Sequence, residues 1–381
     1  MKIEIIYGPF SAGKKQFDFT DLYANQSLTG SEGQCFGVAK YLAKNSAHQV
    51  SLYTNISERS SKNWENIELH QLQDLYLGRV PPDVVISFNE PDMMRYSPKQ
   101  ALKICFQQLN DFGYCQSGFE NFVDIFISPS ESHKEYIKQF TPHSHKKWKV
   151  MPNCIDEEIF DRAKKELYDY EKIPGSILYC SSPDRGLHLL LQEFPKINKE
   201  IPYSSLNIYY DFDKWYGSLK SVDRNSSLIM REFKNRAEYI KYALNQMKDL
   251  KINHHKNTSK LDMYKAMLKT EVLAYPTSTP TFTEGFSSSI LESMYAECYT
   301  VISEQDSLGQ IYKDSGAKMV KTPTTKHMTE FTELVVKGLK DKKYRDNCVK
   351  QTISFAQGFT FSKQIITLEK MIENYKGKNG Q

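Results

Sequence analysis

Two carboxylates separated by seven residues, Glu284 and Glu292, mark the segment of this sequence best suited to binding a phosphorylated ligand. An apolar run before them predicts the end of a strand. Glu284 and Gly285 fall in the loop that follows, and Ser287 or Ser288 could cap the next helix. A helix start presents unpaired backbone N–H groups and the positive end of the helix dipole, so this segment is expected to attract phosphate.

The side chains around this helix start have distinct predicted tasks. Gly285 lacks a Cβ and lets the backbone approach a ligand closely, while the run from Phe286 to Ser289 would supply N–H donors. Glu292, just over one turn into the helix, could accept hydrogen bonds from a ribose diol, and Glu284 would face the sugar. The alternative is a capped crossover helix with two solvated glutamates, because this spacing alone occurs by chance.

A second candidate, Arg185, lies in the loop Ser181–Leu187 after another predicted strand end. One guanidinium can bind phosphate oxygens through two parallel hydrogen bonds. Ser182 and Gly186 share this loop and are assigned to the same binding site. The alternative for Arg185 is a surface salt bridge, which is common and contributes little.

A phosphate-loop pattern, Gly8–Lys15, also follows a predicted strand. Lys15 replaces the Ser or Thr whose hydroxyl would bind magnesium, and Gln16–Asp21 has no helical pattern to present to phosphates. A nucleoside-triphosphate site is therefore disfavoured, although it stays open as an alternative.

Histidines give no metal site. His143, His145, His254 and His255 lack carboxylate or cysteine partners at ligand spacing, so we expect no metal. His254 and His255 follow a predicted strand and could line a base pocket, or they are ordinary polar loop residues.

Short β-branched and aromatic runs alternate with helical patterns, as in parallel sheets joined by crossover helices. The pattern predicts two doubly wound α/β domains in tandem, 1–160 and 161–355, followed by a C-terminal helix, 356–381, that packs back on the first domain. Ligands of such sheets bind beyond the carboxyl ends of the strands. The predicted strands are Ile3–Tyr7, Gln49–Thr54, Val84–Phe88, Leu102–Phe106, Asp124–Ser128, Trp148–Met151, Ser176–Cys180, Ser205–Tyr210, Asp249–Ile252, Glu271–Tyr275, Tyr299–Ser303 and Ala317–Val320.

Composition narrows the class of protein. A net charge of +4 over 381 residues is too balanced for a protein that neutralises a nucleic-acid backbone. Seven cysteines without Cys-x-x-Cys spacing fit neither a disulfide framework nor a zinc ribbon, and the run Lys2–Tyr7 is too short and charged for a signal sequence. We therefore expect a cytoplasmic protein. Its basic runs, His143–Lys149 and Lys337–Arg345, are either solvated faces or weak contacts with a membrane surface or a charged acceptor.

The block from Leu273 through Glu284-Gly285-Phe286 to Glu292 resembles the Glu-x7-Glu signature of family 4, the retaining glycosyltransferases of the GT-B fold. Gly30-Ser31-Glu32-Gly33 resembles the first glycine loop of that family and adds Gly30 and Ser31 to the residues implied to bind the donor. The resemblance implies two Rossmann-like domains that face each other across a cleft. It extends over nearly the whole chain.

Several positions depart from the family pattern. Arg185 stands where a Lys is usual, and a second basic residue earlier in its loop is missing. Cys154 stands where glycine is usual in the stretch before the domain crossing. The histidine that usually follows the fourth strand of the first domain is absent, so Gln108, Asn110 or Asp111 would contact the sugar instead.

The resemblance implies metal-independent transfer of a sugar, with retained configuration, from a nucleoside-diphosphate sugar such as a UDP- or GDP-sugar. The acceptor would be a hydroxyl of a glycan, a lipid-linked molecule or a protein. Arg185 and the N–H groups of Phe286–Ser289 would stabilise the leaving diphosphate. Two other readings stay open: a GT-B nucleotide-sugar epimerase, and a non-catalytic nucleotide-sugar binder.

Overall fold

The computed structural model describes residues 1–8, 13–45, 47–76, 80–141 and 147–379. The chain divides into two compact units. The first comprises Met1–Glu157 and Phe359–Gln381, and the second comprises Glu158–Gly358. Each unit is built around its own sheet.

The first unit holds an eight-stranded sheet whose strands are parallel except for one short edge strand. The strand order is β3-β4-β2-β1-β5-β6-β7-β8, so the chain winds outward in both directions from the β1–β5 pair. The strands are β1 (Lys2–Ile6), β2 (Gln49–Thr54), β3 (Asn63–Trp64), β4 (Ile67–Gln71), β5 (Val84–Phe88), β6 (Leu102–Phe106), β7 (Ile125–Ser128) and β8 (Trp148–Val150).

The described helices of the first unit cover its sheet and connect its strands. They are α1 (Leu22–Asn25), α2 (Gly30–Ala43) and α3 (Glu131–Ile137), joined by the C-terminal helix α13 (Phe361–Asn379). Helix α2 lies against α13, where the Tyr41 and Phe361 rings stack with centroids 5.2 Å apart. Asp156, just before the chain leaves the unit, accepts hydrogen bonds from the buried Lys40 ammonium and from Tyr41.

The second unit holds a six-stranded, fully parallel sheet of order β11-β10-β9-β12-β13-β14. Its strands are β9 (Ile173–Tyr179), β10 (Ser205–Tyr209), β11 (Ile252–His255), β12 (Thr270–Tyr275), β13 (Tyr299–Glu304) and β14 (Lys318–Lys321).

Helices of the second unit lie between these strands and after them, and α4 leads into the unit. They are α4 (Glu157–Leu167), α5 (Leu187–Glu200), α6 (Phe212–Ser218), α7 (Leu228–Gln246), α8 (Lys260–Leu268), α9 (Ser288–Tyr295), α10 (Leu308–Tyr312), α11 (His327–Lys340) and α12 (Lys342–Ala356). One of its core clusters joins α5 to β9 and β12 through residues such as Leu190, Phe194 and Val272, all fully buried.

All twelve predicted strands correspond to strands of the two sheets, with two kinds of difference. The strand predicted at Asp249–Ile252 runs instead over Ile252–His255, because it is a half-buried edge strand whose polar residues carry no strong apolar signal. β3 and β4 were not predicted. β4 buries only Ile67 and Leu69 in its first residues, alternating with the exposed Glu68.

The seven cysteines are all free. No helix in the described parts of the chain combines the length and the apolar character needed to cross a membrane.

Candidate functional site

The strand order of the second unit reverses between β9 and β12, its two central strands. From β9 the chain proceeds outward through β10 to β11, and from β12 it proceeds the other way through β13 to β14. Loops leaving the carboxyl ends of strands at such a switch point diverge and leave room for a ligand. Arg185 follows β9 and Glu284 follows β12, so both lie at this point.

Gly186 brings these two loops together. Its φ of +122° disfavours any residue with a Cβ, and a Cβ at this position would lie 2.1 Å from the carbonyl oxygen of Pro276. The β9 loop therefore approaches the β12 loop backbone as closely as only glycine permits. Arg185, one residue earlier, is held over the end of β12.

Arg185 and Glu284 form an ion pair between Nη1 and Oε1. Nη1 also donates to the carbonyl oxygen of Thr283 at 2.7 Å, and Nε donates to Asp184 at 3.1 Å. The Glu284 side chain is only 2% exposed, and that of Arg185 is 24% exposed. Arg185 thus neutralises a buried carboxylate, so the surface salt bridge considered for it does not describe its position.

A tyrosine completes this network. The Tyr275 hydroxyl donates to Oε1 of Glu284 at 3.1 Å and lies 2.8 Å from the hydroxyl of Ser181. Burial raises the pKa of Glu284, and Arg185 opposes that shift. Burial lowers the pKa of Arg185, but Glu284, Tyr275 and Asp184 together outweigh burial and hold this pKa above its ordinary value. The hydrogen bonds around this ion pair therefore fix the orientation of both the Arg185 and the Glu284 side chains.

The backbone around Glu284 is held by Asp306. Its Oδ2 accepts from the N–H groups of Thr283 and Glu284 at 2.7 and 2.9 Å, and Ser307 N–H donates to the carbonyl of Glu284 at 3.1 Å. Asp306 follows β13 in an uncommon left-handed conformation, with φ of +49°. The loops that follow β9, β12 and β13 therefore meet at Glu284.

The helix after Glu284 starts at the predicted position, but its N-cap residue makes no side-chain hydrogen bond to the helix. Helix α9 begins at Ser288 with Ser287 at the N-cap, and the Ser287 side chain makes no capping hydrogen bond. Ser287 therefore takes the predicted N-cap position, without the capping hydrogen bond that a serine hydroxyl often makes there. Its carbonyl accepts from the hydroxyl of Tyr312 at 2.8 Å, and the Phe286 ring lies 6.2 Å from the Tyr312 ring. Gly285 is buried beside Glu284.

Glu292 lies on the second turn of α9 and does not face solvent. Its Oε1 accepts from the Lys260 ammonium and, at 3.1 Å, from the hydroxyl of Tyr264. The Tyr264 ring stacks on Phe160 with centroids 3.7 Å apart. The alternative of two solvated glutamates is wrong for both positions, since Glu284 and Glu292 are 2% and 5% exposed.

The remaining residues of the β9 loop are also tied down. Ser182 donates to Asp184 through its hydroxyl. From α7, Arg236 Nη1 donates to the carbonyls of Asp184 and Ser278 at 2.9 and 2.7 Å and so links the β9 and β12 loops.

Gly30 and Ser31 belong to the first unit and do not form a loop. They are the first residues of α2, which starts there because Thr29 and Glu32 form a reciprocal capping box. The prediction of a glycine loop at this position is therefore wrong. The Ser31 hydroxyl accepts from the Asn89 side chain at 2.9 Å, and Asn89 Oδ1 accepts from the backbone of Gln108 and Leu109.

His133 contacts the loop that follows β6, where the family 4 pattern would place a histidine that this sequence lacks. His133, on α3, is fully buried, and its Nε2 lies 3.1 Å from the carbonyl oxygen of Leu109. Its Nδ1 lies 2.7 Å from the Ser128 hydroxyl. Because a carbonyl can only accept, Nε2 carries a proton, and the ring is neutral when the Ser128 hydroxyl donates to Nδ1. Burial lowers the pKa of His133 to about 4.

The phosphate-loop alternative lies partly outside the described residues, which omit 9–12. The part that is described does not lead into a helix, since the next one is the four-residue α1 beginning at Leu22. Lys15 pairs with Glu32 at 2.6 Å.

Of the histidines considered for metal or base contacts, His254 and His255 lie in the part of the chain that the structure describes. His143 and His145 lie outside the described residues. His254 and His255 do not follow a strand but lie within β11, where His255 stacks on Tyr209 at 4.2 Å. Across the described ranges, no three histidine, cysteine, aspartate or glutamate side chains cluster in a way that could hold a metal ion.

Sequence reasoning missed several residues that shape this site. Tyr275 was assigned only as the end of a strand, and Asp306, Arg236, Lys260 and Tyr264 received no role. Asp306 and Lys260 each follow a strand of the same sheet, so the rule that directs attention to strand ends could have found them. Arg236 lies in the middle of a helix and gives no such signal.

A family model matches part of the chain, and solved structures match nearly all of it. Residues 181–355, which contain the whole Arg185–Glu284–Glu292 arrangement, match the family model described as glycosyl transferases group 1. No curated protein sequence matches the chain.

Solved structures match over almost the whole chain. Sucrose-phosphate synthase from Thermosynechococcus elongatus has a TM-score of 0.68 at 11% identity, covering 99% of this chain and 100% of its own. Anabaena HepE, in complex with UDP and glucose, has 0.65 at 12%, covering 98% and 100%. The catalytic domain of starch synthase IV from Arabidopsis thaliana, bound to ADP and acarbose, has 0.63 at 10%, covering 98% of each chain.

At these identities the likeness concerns the fold. The predicted fold, GT-B with two Rossmann-like doubly wound domains, is confirmed by these neighbours together with the two parallel sheets. The chain has the GT-B fold, and its second unit resembles the group 1 glycosyltransferases.

Proposed function

We propose that this protein is a retaining, metal-independent glycosyltransferase that moves a sugar from a nucleoside-diphosphate sugar to a hydroxyl acceptor. The observation that carries the proposal is the pairing of Arg185 with the buried Glu284 at the switch point, beside the start of α9. The match to glycosyl transferases group 1 over residues 181–355 supports sugar transfer. The neighbours bound to UDP or ADP support a nucleotide-sugar donor.

Charge on the leaving diphosphate is stabilised by Arg185 and α9. Nη1 and Nε of Arg185 are engaged by protein oxygens, and Nη2 has no hydrogen bond among the described residues. Nη2 is therefore the donor available to a phosphate oxygen, together with N–H groups from Phe286 to Ser289. Fixed donors of this kind stabilise developing charge without reorganisation, so the proposal needs no metal ion.

The reaction is a front-face displacement. The bond between the anomeric carbon and the diphosphate oxygen breaks, with its electron pair going to the leaving group, and the acceptor oxygen bonds to the same face of that carbon. The acceptor proton passes to the departing phosphate. Glu284 is proposed to orient sugar hydroxyls, because a carboxylate fixed by Arg185 and Tyr275 is held in one geometry.

The remaining assignments are also proposals. Glu292 would bind the ribose. The diphosphate would be surrounded by Ser182, Gly186 and the segment Gly285–Ser288. Gly30 and Ser31 would also contact the donor. A glycan, a lipid-linked molecule or a protein would provide the acceptor hydroxyl.

One experiment tests the proposal. The protein is incubated with UDP-, GDP- and ADP-sugars in EDTA, thermal stabilisation identifies the donor, and NMR follows the anomeric configuration of product formed with a panel of sugar acceptors. Transfer or slow donor hydrolysis with retention, unaffected by EDTA, is expected. Inverted product or a requirement for metal would contradict the mechanism. Epimerised donor without transfer would identify an epimerase, and binding without turnover a non-catalytic binder.

A further inference from the structure

Lys260 is the first residue of α8, and the sequence patterns assign it no role. It places a positive charge beside Glu292 at the switch point of the second unit. Its side chain is 11% exposed, and its ammonium contacts Oε1 of Glu292, whose side chain is 7% exposed. The ammonium also lies 4.7 Å from the centre of the Tyr264 ring. Ser259 caps α8 by accepting from Asp262 N–H, which fixes the backbone from which Lys260 projects.

The two oxygens of Glu292 are used unequally. Both Lys260 and Tyr264 donate to Oε1, and no described contact involves Oε2. A carboxylate with one oxygen held by two donors has a fixed plane, so Oε2 has a defined direction. Stacking of Phe160 on Tyr264 holds the tyrosine that sets this plane.

The Lys260 ammonium contacts Glu292, which lies on the second turn of α9. A helical side chain reaches back over the turn that precedes its own Cα, so Glu292 carries its partner toward Ser288 and Ser289. The Ser289 hydroxyl donates to the carbonyl of Cys180 at 2.8 Å, which connects this turn to the loop bearing Arg185. Burial and Glu292 raise the pKa of the Cys180 thiol to about 12, and Lys260 acts against that rise from the same cluster.

The charges of the acidic and basic side chains at this site indicate a second function for the Lys260 ammonium. Arg185 faces both Glu284 and Asp184, and Lys260 faces Glu292, so the two cations leave no excess positive charge. A diphosphate adds about two negative charges, which need donors beyond those the carboxylates already use. An ammonium has three N–H donors, and one of them serves Glu292.

We infer that Lys260 is the second cation of the donor site: its ammonium binds the diphosphate while it holds Oε1 of Glu292, leaving Oε2 for the ribose. This inference rests on the proposed function, because it assumes that a nucleoside diphosphate occupies the switch point. It assigns diphosphate recognition to two cations on different elements, Arg185 in the β9 loop and Lys260 on α8.

The test compares ligands that share a ribose but differ in phosphates. Dissociation constants for uridine, UMP and UDP, for guanosine, GMP and GDP, and for adenosine, AMP and ADP are measured by calorimetry with the wild-type protein, Lys260→Gln and Lys260→Arg. Lys265→Gln is the matched control, since Lys265 lies on the same helix but pairs with Glu166. If Lys260→Gln does not fold, the double variant Lys260→Gln/Glu292→Gln, which removes the whole buried pair, is compared with Glu292→Gln.

Lys260→Gln is expected to weaken diphosphate binding at least tenfold and nucleoside binding less than threefold, with Lys260→Arg and Lys265→Gln close to wild type. An equal loss for nucleoside and diphosphate would overturn the inference, since Lys260 would then act only through Glu292. Unchanged diphosphate binding would overturn it as well. Failure of the wild-type protein to bind any of the three diphosphates would instead refute the proposed function.

Discussion

Arg185 and Glu284 lie 99 residues apart in the chain and form an ion pair whose carboxylate is almost fully buried. The pair exists because Gly186 lets the β9 loop touch the β12 loop, and because Tyr275 and Asp306 hold the side chain and backbone of Glu284. Removing one partner leaves the other buried without its counter-charge, which is costly. The pair therefore links the structure of the switch point to its proposed chemistry.

Glu284→Gln is expected to lower turnover much more than donor binding. Glutamine keeps the shape of the side chain but loses the charge that fixes it against Arg185. We expect a kcat loss of about 100-fold, or ~2.7 kcal/mol, with a change in donor dissociation constant below about fivefold. Initial rates and calorimetry measure the two quantities, and Glu333→Gln, at an exposed helix position, is the control. Equal losses in rate and binding would show that Glu284 only binds the donor.

Glu292→Ala is expected to weaken donor binding while leaving the rate at saturating donor within about threefold. The variant removes the proposed ribose contact and leaves Lys260 without its carboxylate, so a loss of about 1–3 kcal/mol is expected. Calorimetry with the donor found by thermal stabilisation measures it. Unchanged affinity would exclude the ribose role of Glu292.

Gly186→Ala is expected to unfold the second unit more easily and to abolish activity. Alanine would have to adopt a φ of +122° with its Cβ 2.1 Å from the Pro276 carbonyl oxygen. Conformational strain and overpacking together cost at least about 2 kcal/mol. Urea unfolding checks this, with Gly217→Ala as the control because a Cβ there meets no atom within 4 Å. Equal stability of the two variants would mean that the loops separate without cost.

The fold could be predicted from the sequence because buried parallel strands carry strong apolar runs, as Val84–Phe88 and Thr270–Tyr275 do. Residue types and strand ends also pointed to Arg185 and Glu284 individually. Their mutual pairing could not be predicted, because it depends on how closely Gly186 approaches Pro276, which no periodicity encodes.

One local prediction failed and another was confirmed only in position, because neighbouring side chains decided the outcome. Ser287 takes the predicted N-cap position of α9, but its hydroxyl makes no capping hydrogen bond. Gly30 was expected in a loop, but the capping box of Thr29 and Glu32 starts a helix there. Sequence identifies the residue types able to act, whereas tertiary contacts decide which of them do.

Two glycines on α2 provide a matched pair for testing how α13 docks in the first unit. A Cβ at Gly37 would lie 2.1 Å from the buried Phe361 ring, whereas a Cβ at Gly33 meets no atom within 4 Å. Gly33→Ala is expected to stabilise the unit by about 0.5–1 kcal/mol through helix propensity. Gly37→Ala is expected to destabilise it by about 1–3 kcal/mol through overpacking. Thermal unfolding compares them, and stabilisation by both substitutions would show that Phe361 moves aside freely.

Stability is expected to fall as the pH drops below about 6.5, in part because His133 is buried in its neutral form. Its folded pKa of about 4 lies below the ordinary value of 6.5, so the unfolded chain binds the proton first. The loss begins as the pH falls through the unfolded pKa and is complete below the folded one. It amounts to about 2 kcal/mol at pH 5 relative to pH 8. His188, whose pKa is lowered to about 3 by burial and then by Arg236, adds a loss of the same sign in the second unit.

His133→Gln should remove the contribution of His133, since glutamine can still donate to the Leu109 carbonyl but does not titrate. The free energy of unfolding in urea at pH 8 and pH 5 measures the effect for the wild type, His133→Gln and His70→Gln, the last controlling for loss of a histidine as such. The difference between the two pH values should shrink by about 2 kcal/mol in His133→Gln and not in His70→Gln. If all three proteins lose the same stability between pH 8 and pH 5, His133 is able to accept a proton in the folded state. The Nε2–H contact with the Leu109 carbonyl would then persist in both protonation states, with the Ser128 hydroxyl accepting from Nδ1 in the charged form.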